Sequence, residues 1–144
     1  MYRPYVRAIL VAVALLATGA CSNDTLSSLT TPTNPTIFTD TFTGTLSQNG
    51  SFTHSFTTAS LGPVTATIVS LAPNTSQIVG LTLGVWTGTS CSTSPQTGGS
   101  TNDSATSGSS ITLNASAAGS LCVRLYDVGF VTTPVLYTLQ VTHP

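Results

Sequence analysis

The sequence predicts an all-β fold, an antiparallel β-sandwich of seven to eight strands preceded by a signal helix and a flexible tether. Three observations predict it. Thr and Ser supply 28 and 19 of the 144 residues, and the chain has no Lys and no Glu. Thr, Val and Ile suit extended, half-buried backbone, and Gly, Pro, Asn and Ser punctuate it. Apolar residues recur at every second position in one short segment after another, the period of a strand with one buried face. Beyond the leader no segment carries a 3.6-residue apolar period, so such strands must cover their apolar faces by packing two sheets together. The length suffices for one domain with a modest core.

Solubility comes from hydroxyls rather than charge. The ionised side chains are Arg3, Arg7 and Arg124 against Asp24, Asp40, Asp103 and Asp127. With no basic patch, electrostatically driven nucleic-acid binding is excluded.

Residues 1–20 read as a leader. Arg3 and Arg7 precede an apolar run over residues 8–17, too short for the roughly 20 residues of a membrane span but suited to a signal-peptide core. The segment Leu16-Ala17-Thr18-Gly19-Ala20-Cys21-Ser22 resembles a bacterial lipobox, with Thr18 where Leu is usual. The resemblance implies lipid on Cys21, a bacterial envelope location and, from Ser22 rather than Asp after the cysteine, the outer membrane. Plain cleavage after Ala20, giving a secreted or periplasmic protein, is the alternative. Removal of the leader leaves Arg124 against four Asp, a side-chain charge of −3. Residues 21–36, with Pro32 and Pro35, form a tether spanning roughly 20 Å as a coil.

Residues 37–144 form the domain. Phe38, Phe42, Gly44 and Leu46 share one strand face, with Thr39, Thr41, Thr43 and Thr45 opposite. After the Gln48-Asn49-Gly50 turn signal, Phe52, His54 and Phe56 alternate with Ser51, Thr53, Ser55 and Thr57, so the pair reads as a hairpin. Leu61-Gly62-Pro63 turns into a strand through Val64, Ala66 and Ile68. The next strand alternates Leu81, Leu83 and Val85 with Thr82, Gly84 and Trp86. The polar stretch from Gly88 to Ser110 is long for a connection, and has room for a further short strand. Ile111, Leu113 and Ala115 mark another strand. Ala118-Gly119-Ser120 then turns into one with Leu121, Val123 and Leu125 inward and Cys122, Arg124 and Tyr126 outward. Val135, Tyr137, Leu139 and Val141 share the inner face of the last strand, and His143, next to the terminus, is expected to fray.

The order of these elements over residues 40–142 resembles the bacterial pre-peptidase C-terminal domain family. Its parts are Phe42-Thr43-Gly44-Thr45-Leu46, Gly50-Ser51 leading to His54-Ser55-Phe56, Leu81-x-Leu83 with Val85, Ala118-Gly119-Ser120 into Val123-Arg124-Leu125, and Tyr137-Thr138-Leu139-Gln140-Val141. The chain departs from the family at Leu121-Cys122, where an aromatic is frequent, and at His54, where Tyr is common. The resemblance implies a jelly-roll-like sandwich and a stand-alone, non-catalytic accessory or binding domain.

Three cysteines is an odd number. Lipid on Cys21 leaves Cys91 and Cys122 as a pair, and export permits a disulfide worth about 3–4 kcal/mol if free of strain. Such a bridge pins the polar stretch across the outer face, beside Arg124 and Tyr126. A metal or thiol site has poor support without a Cys-x-x-Cys and with only His54 and His143. No cofactor is expected, and Asn102-Asp103 reads as loop solvation rather than a Ca²⁺ site. A hydrolase would rest on His54 and abundant Ser alone, without a Gly-x-Ser-x-Gly elbow. His54 instead reads as a core-edge residue with its ring nitrogens bonded to backbone or hydroxyl. Trp86 and Tyr126 suit either a sugar-stacking platform or packing. Arg124 suits an anion, or pairing with Asp103 or Asp127 for less than about 1 kcal/mol. The expected protein is a non-catalytic, envelope-anchored lipoprotein with a binding or structural domain. Its expected partners are the membrane and an envelope protein or glycan. A carbohydrate-binding module using exposed aromatics is the alternative.

Overall fold

The computed structural model describes residues 34–94 and 98–144. The leader, the lipidation candidate Cys21 and the tether up to residue 33 lie outside the described residues. Nine strands are present among those described: β1 (Phe38–Leu46), β2 (Ser51–Thr58), β3 (Gly62–Ala72), β4 (Val79–Trp86), β5 (Cys91–Ser92), β6 (Ser100–Ala105), β7 (Ser110–Ala115), β8 (Gly119–Tyr126) and β9 (Val135–His143). They form two antiparallel sheets. One has the order β1-β9-β3-β7; in the other β2-β8-β4 is extended by β5 and β6, which both pair along the free edge of β4. If β5 and β6 are taken as one interrupted strand, this is the order of an eight-stranded jelly roll.

Strand parity builds the core. Val64, Ala66 and Ile68 of β3 are fully buried, and Thr65 and Thr67 between them point out. A bulge between Ile68 and Ser70 then shifts the register, so that Val69 is exposed and Leu71 returns inward. Leu81 and Leu83 of β4, Val123 and Leu125 of β8, and Leu139 and Val141 of β9 fill the space between the sheets. Each such aliphatic contributes roughly 1.5–3 kcal/mol of burial.

Three features depart from the sequence-based expectations. The Asn49 turn is tight as foreseen, with φ 56° at Asn49 and the Gly50 N–H donating to the Ser47 carbonyl at 2.9 Å, but it does not make a hairpin. β1 pairs with β9 from Phe38↔His143 to Leu46↔Val135, and β2 pairs with β8 from Ser51↔Tyr126 to Thr58↔Gly119. The turn is a corner between sheets. β8 and β9, among the most apolar strands, thereby gain neighbours on both sides, and the threonine-rich β1 and β2 take the edges.

The strand count is nine rather than seven or eight, because the polar stretch holds both β5 and β6. β6 reads Ser-Thr-Asn-Asp-Ser-Ala and buries only Ala105. It is a strand by virtue of the ladder that β4 offers, not of its own pattern. Finally, His143 does not fray. It is the last residue of β9, only 4% exposed, with its Nε2 3.2 Å from Asp40 Oδ2. The Pro144 carbonyl beyond it accepts hydrogen bonds from the Ala59 N–H and the buried Thr58 hydroxyl, each at 2.9 Å.

Candidate functional site

The outer face of the second sheet carries the site, and β8 sets its parity. Leu121, Val123 and Leu125 face the core, and Cys122, Arg124 and Tyr126 face away from it. Cys122 is nonetheless fully buried, because the Cys91 segment covers it. The Cys91–Cys122 disulfide is formed, with Cα atoms 5.8 Å apart, and joins the two strands that flank β4.

Glycine makes this covering possible. A Cβ on Gly84, which lies opposite Cys122, would come within 2.1 Å of the Ser92 carbonyl oxygen, and one on Gly99 within 2.5 Å of the Thr93 carbonyl oxygen. The loop backbone rests where side chains would otherwise stand. The start of the loop is itself ordered: Thr87 N–H donates to the Ser90 carbonyl at 3.0 Å, and the Thr87 hydroxyl accepts from Ser90 N–H at 3.2 Å.

Tyr126 is held at the other end of β4. Its ring lies over Gly80, its partner in register, where a Cβ would approach the ring to 2.2 Å. Its hydroxyl donates to Asp103 Oδ1 of β6. Burial pushes the phenol's pKa up, and the Asp103 hydrogen bond and charge push the same way, against smaller opposing effects of Thr82 and Arg124. The Arg124 guanidinium lies over the same ring, 5.3 Å from its centroid, a contact worth about 0.5–1 kcal/mol at an exposed site.

The pairing of Arg124 with Asp103 or Asp127 expected from the sequence is not made; no carboxylate among the described residues lies within 4 Å of it. Asp103 holds Tyr126 instead. Asp127 caps a turn, accepting from Asn49 N–H at 2.8 Å through Oδ2 and from Gly129, Phe130 and Val131 N–H at 2.7–3.0 Å through Oδ1. Desolvation, the largest single effect, raises its pKa, and the four backbone donors together outweigh it and lower the pKa overall. Asn102 Oδ1 accepts from Ser104 N–H at 2.9 Å, within its own strand.

A groove of about 280 Å³ opens beside Arg124, lined by Ser51 and Thr53 of β2, Trp86, Thr89, Ser90 and Cys91. Trp86 also borders a second cavity of about 400 Å³ at the end of the sandwich, between Val85, Leu113 and the turn leading into β8. The indole is half-buried and makes neither a hydrogen bond nor a ring contact among the described residues. The structure therefore places Trp86 and Arg124 in one groove but makes no Trp86–Tyr126 platform. Trp86 and Gly80, on which Tyr126 rests, are six positions apart along β4, roughly 20 Å.

His54 lies elsewhere, at the seam where β1 and β2 part. It stacks on Phe42 (4.6 Å between centroids, 12° between planes), and its Nε2 is 2.9 Å from the Tyr137 hydroxyl. Burial lowers its pKa. This is the core-edge histidine bonded to a hydroxyl that the sequence led us to expect.

Sequence reasoning missed Ser51, Thr53, Thr89 and Ser90 as groove residues. Parity puts Ser51 and Thr53 on an outer face, but nothing marks them among 47 hydroxyl side chains. No known family model matches the chain, and no curated protein matches it.

Proposed function

We propose that this is a non-catalytic, lipid-anchored envelope protein whose jelly-roll domain binds a glycan in the groove between Trp86 and Arg124. One observation carries the reading. Trp86 and Arg124 line one recess, neither side chain is hydrogen-bonded to another described residue, and four Ser and Thr residues share the recess with them. Sugars offer an apolar C–H face flanked by hydroxyls, which is the complement of such a surface. The groove is built on strands and closed by a disulfide, so little conformational entropy is lost when it is filled.

The anchor rests on the lipobox-like segment ending at Cys21, and the tether would lift the domain clear of the bilayer. The resemblance of the sequence's order of elements to pre-peptidase C-terminal domains is what supports an accessory rather than a catalytic role. A glycan array probed with wild type and Trp86→Ala tests the site. Wild type should retain defined glycans, and the variant should lose at least tenfold in affinity, about 1.4 kcal/mol. Equal binding by the two proteins sinks the assignment. Labelling with a fatty-acid analogue in a competent host should tag the wild type and not Cys21→Ser; absence of label on the wild type removes the anchor.

A further inference from the structure

We propose that the groove selects a carboxylate-bearing glycan, a uronic-acid oligosaccharide, over its neutral counterpart, with Arg124 as the residue that reads the carboxylate. The inference rests on the glycan reading above and adds the charge of the ligand to it.

Arg124 is the sole Lys or Arg among the described residues. On a domain that uses hydroxyls for solubility, this one cation stands on the rim of the groove. All three Asp side chains of the described domain are engaged elsewhere: Asp40 with His143, Asp103 with Tyr126, and Asp127 with four backbone N–H groups. The Arg124 side chain makes no hydrogen bond or ion pair among the described residues, which leaves its charge available to a ligand. No lining residue of the groove is acidic, and the nearby Asp103 carboxylate is bonded to the Tyr126 hydroxyl.

The guanidinium is also held in place. In register, Arg124 sits between Thr53 of β2 and Thr82 of β4. Its charged end lies over the Tyr126 ring, and that ring is fixed by Gly80 beneath it and by Asp103 at its hydroxyl. The contact with the ring uses none of the guanidinium's N–H donors, and none is hydrogen-bonded to a described residue. A guanidinium matches a planar carboxylate, which it can bind through two parallel hydrogen bonds. Trp86, which lines the same groove, supplies the surface for another sugar ring of the same oligosaccharide. The domain's excess of Asp repels anions at long range, but this repulsion is screened within about 8 Å at physiological salt. Selection is therefore a contact effect.

The test is calorimetric titration of the full-length protein in detergent with oligogalacturonate, oligoglucuronate and alginate oligosaccharides. Each is paired with its methyl ester, which keeps the backbone and removes the charge. For at least one pair the acid should bind at least tenfold more tightly than the ester. Arg124→Gln should erase that preference with an unchanged Tm, and Trp86→Ala should weaken acid and ester alike. Arg124→Lys, which keeps the charge but loses the planar fork, should retain only part of the preference. Oligoglutamate of equal charge should not compete, since it offers no ring to Trp86.

Equal binding of acid and ester overturns the inference and leaves the glycan reading standing. So does a preference that survives Arg124→Gln, or full competition by oligoglutamate. If no acid binds while neutral glycans on an array do, the inference alone fails. If neither binds, both fail.

Discussion

His54 shows what burial does to a single titratable group. Its imidazole stacks on Phe42 and meets the Tyr137 hydroxyl, and burial holds its pKa below the ordinary 6.5. Below about pH 6.5 the unfolded chain then binds more protons than the folded one, so stability rises with pH across that window. His54 imposes no penalty above its unfolded value and costs stability as the pH falls through its folded value. We expect the Tm to drop on acidification from about pH 7 to pH 5. The His54 contribution should not exceed about 1.4 kcal/mol per pH unit. His54→Gln, which can still bond Tyr137, should flatten that limb in a thermal melt series. An unchanged slope would mean that the imidazole is not responsible. Asp127 works in the opposite sense of charge: its four backbone donors favour the carboxylate, so the stability it adds is present above its ordinary pKa and lost in strong acid. The Asp127-Val128-Gly129 spacing is a turn signal that could have been read from the chain. What could not be read is that the same carboxylate also ties down the Asn49 turn, 78 residues away.

At the scale of elements, two glycines of β4 decide what lies on the outer sheet. Gly80 leaves room for the Tyr126 ring and Gly84 for the Ser92 backbone. The two sites differ in what would yield, since a ring can tilt and a disulfide-linked backbone cannot. Gly84→Ala should therefore cost about 1–3 kcal/mol and lift the β5 segment from the face, exposing Cys122. Gly119→Ala is the control: it meets nothing within 4 Å and should change stability by no more than about 0.5 kcal/mol. Urea melts of the two variants measure the difference, and equal destabilisation would refute the covering role of Gly84. Strand positions and parity were legible in the chain because a pleat alternates its faces wherever it lies. Strand partners were not. The Asn49 turn has the same local chemistry in a hairpin and in a corner between sheets, and only competition for central positions separates the two. β6 was illegible for a related reason, as its ladder belongs to β4.

On the scale of the whole molecule, a fold with almost no charge should be almost indifferent to salt. Among the described residues the one contact that can become an ion pair is His143–Asp40, charged only when the histidine is protonated, and Asp40 is 44% exposed. Raising NaCl from low to near-molar concentration should change the unfolding free energy by less than about 0.5 kcal/mol. A larger loss, measured by denaturant titration at each salt concentration, would reveal an electrostatic contribution that the ion pair does not account for. The pairing of β1 with β9, which lie at opposite ends of the domain, makes the topology highly non-local.

By itself the sequence determined the fold class, the alternation of faces along the strands outside the β3 bulge, and the expectation that Cys91 pairs with Cys122, which the disulfide meets. These are properties of composition and of neighbours along the chain. Only the tertiary structure decided which strands pair and that the last histidine is buried. It also decided that Tyr126 is packed on a glycine, and that Trp86 and Arg124 share a groove that no carboxylate enters. Those are contests between residues distant in sequence, settled by which arrangement buries the most apolar surface while leaving no backbone group unpaired.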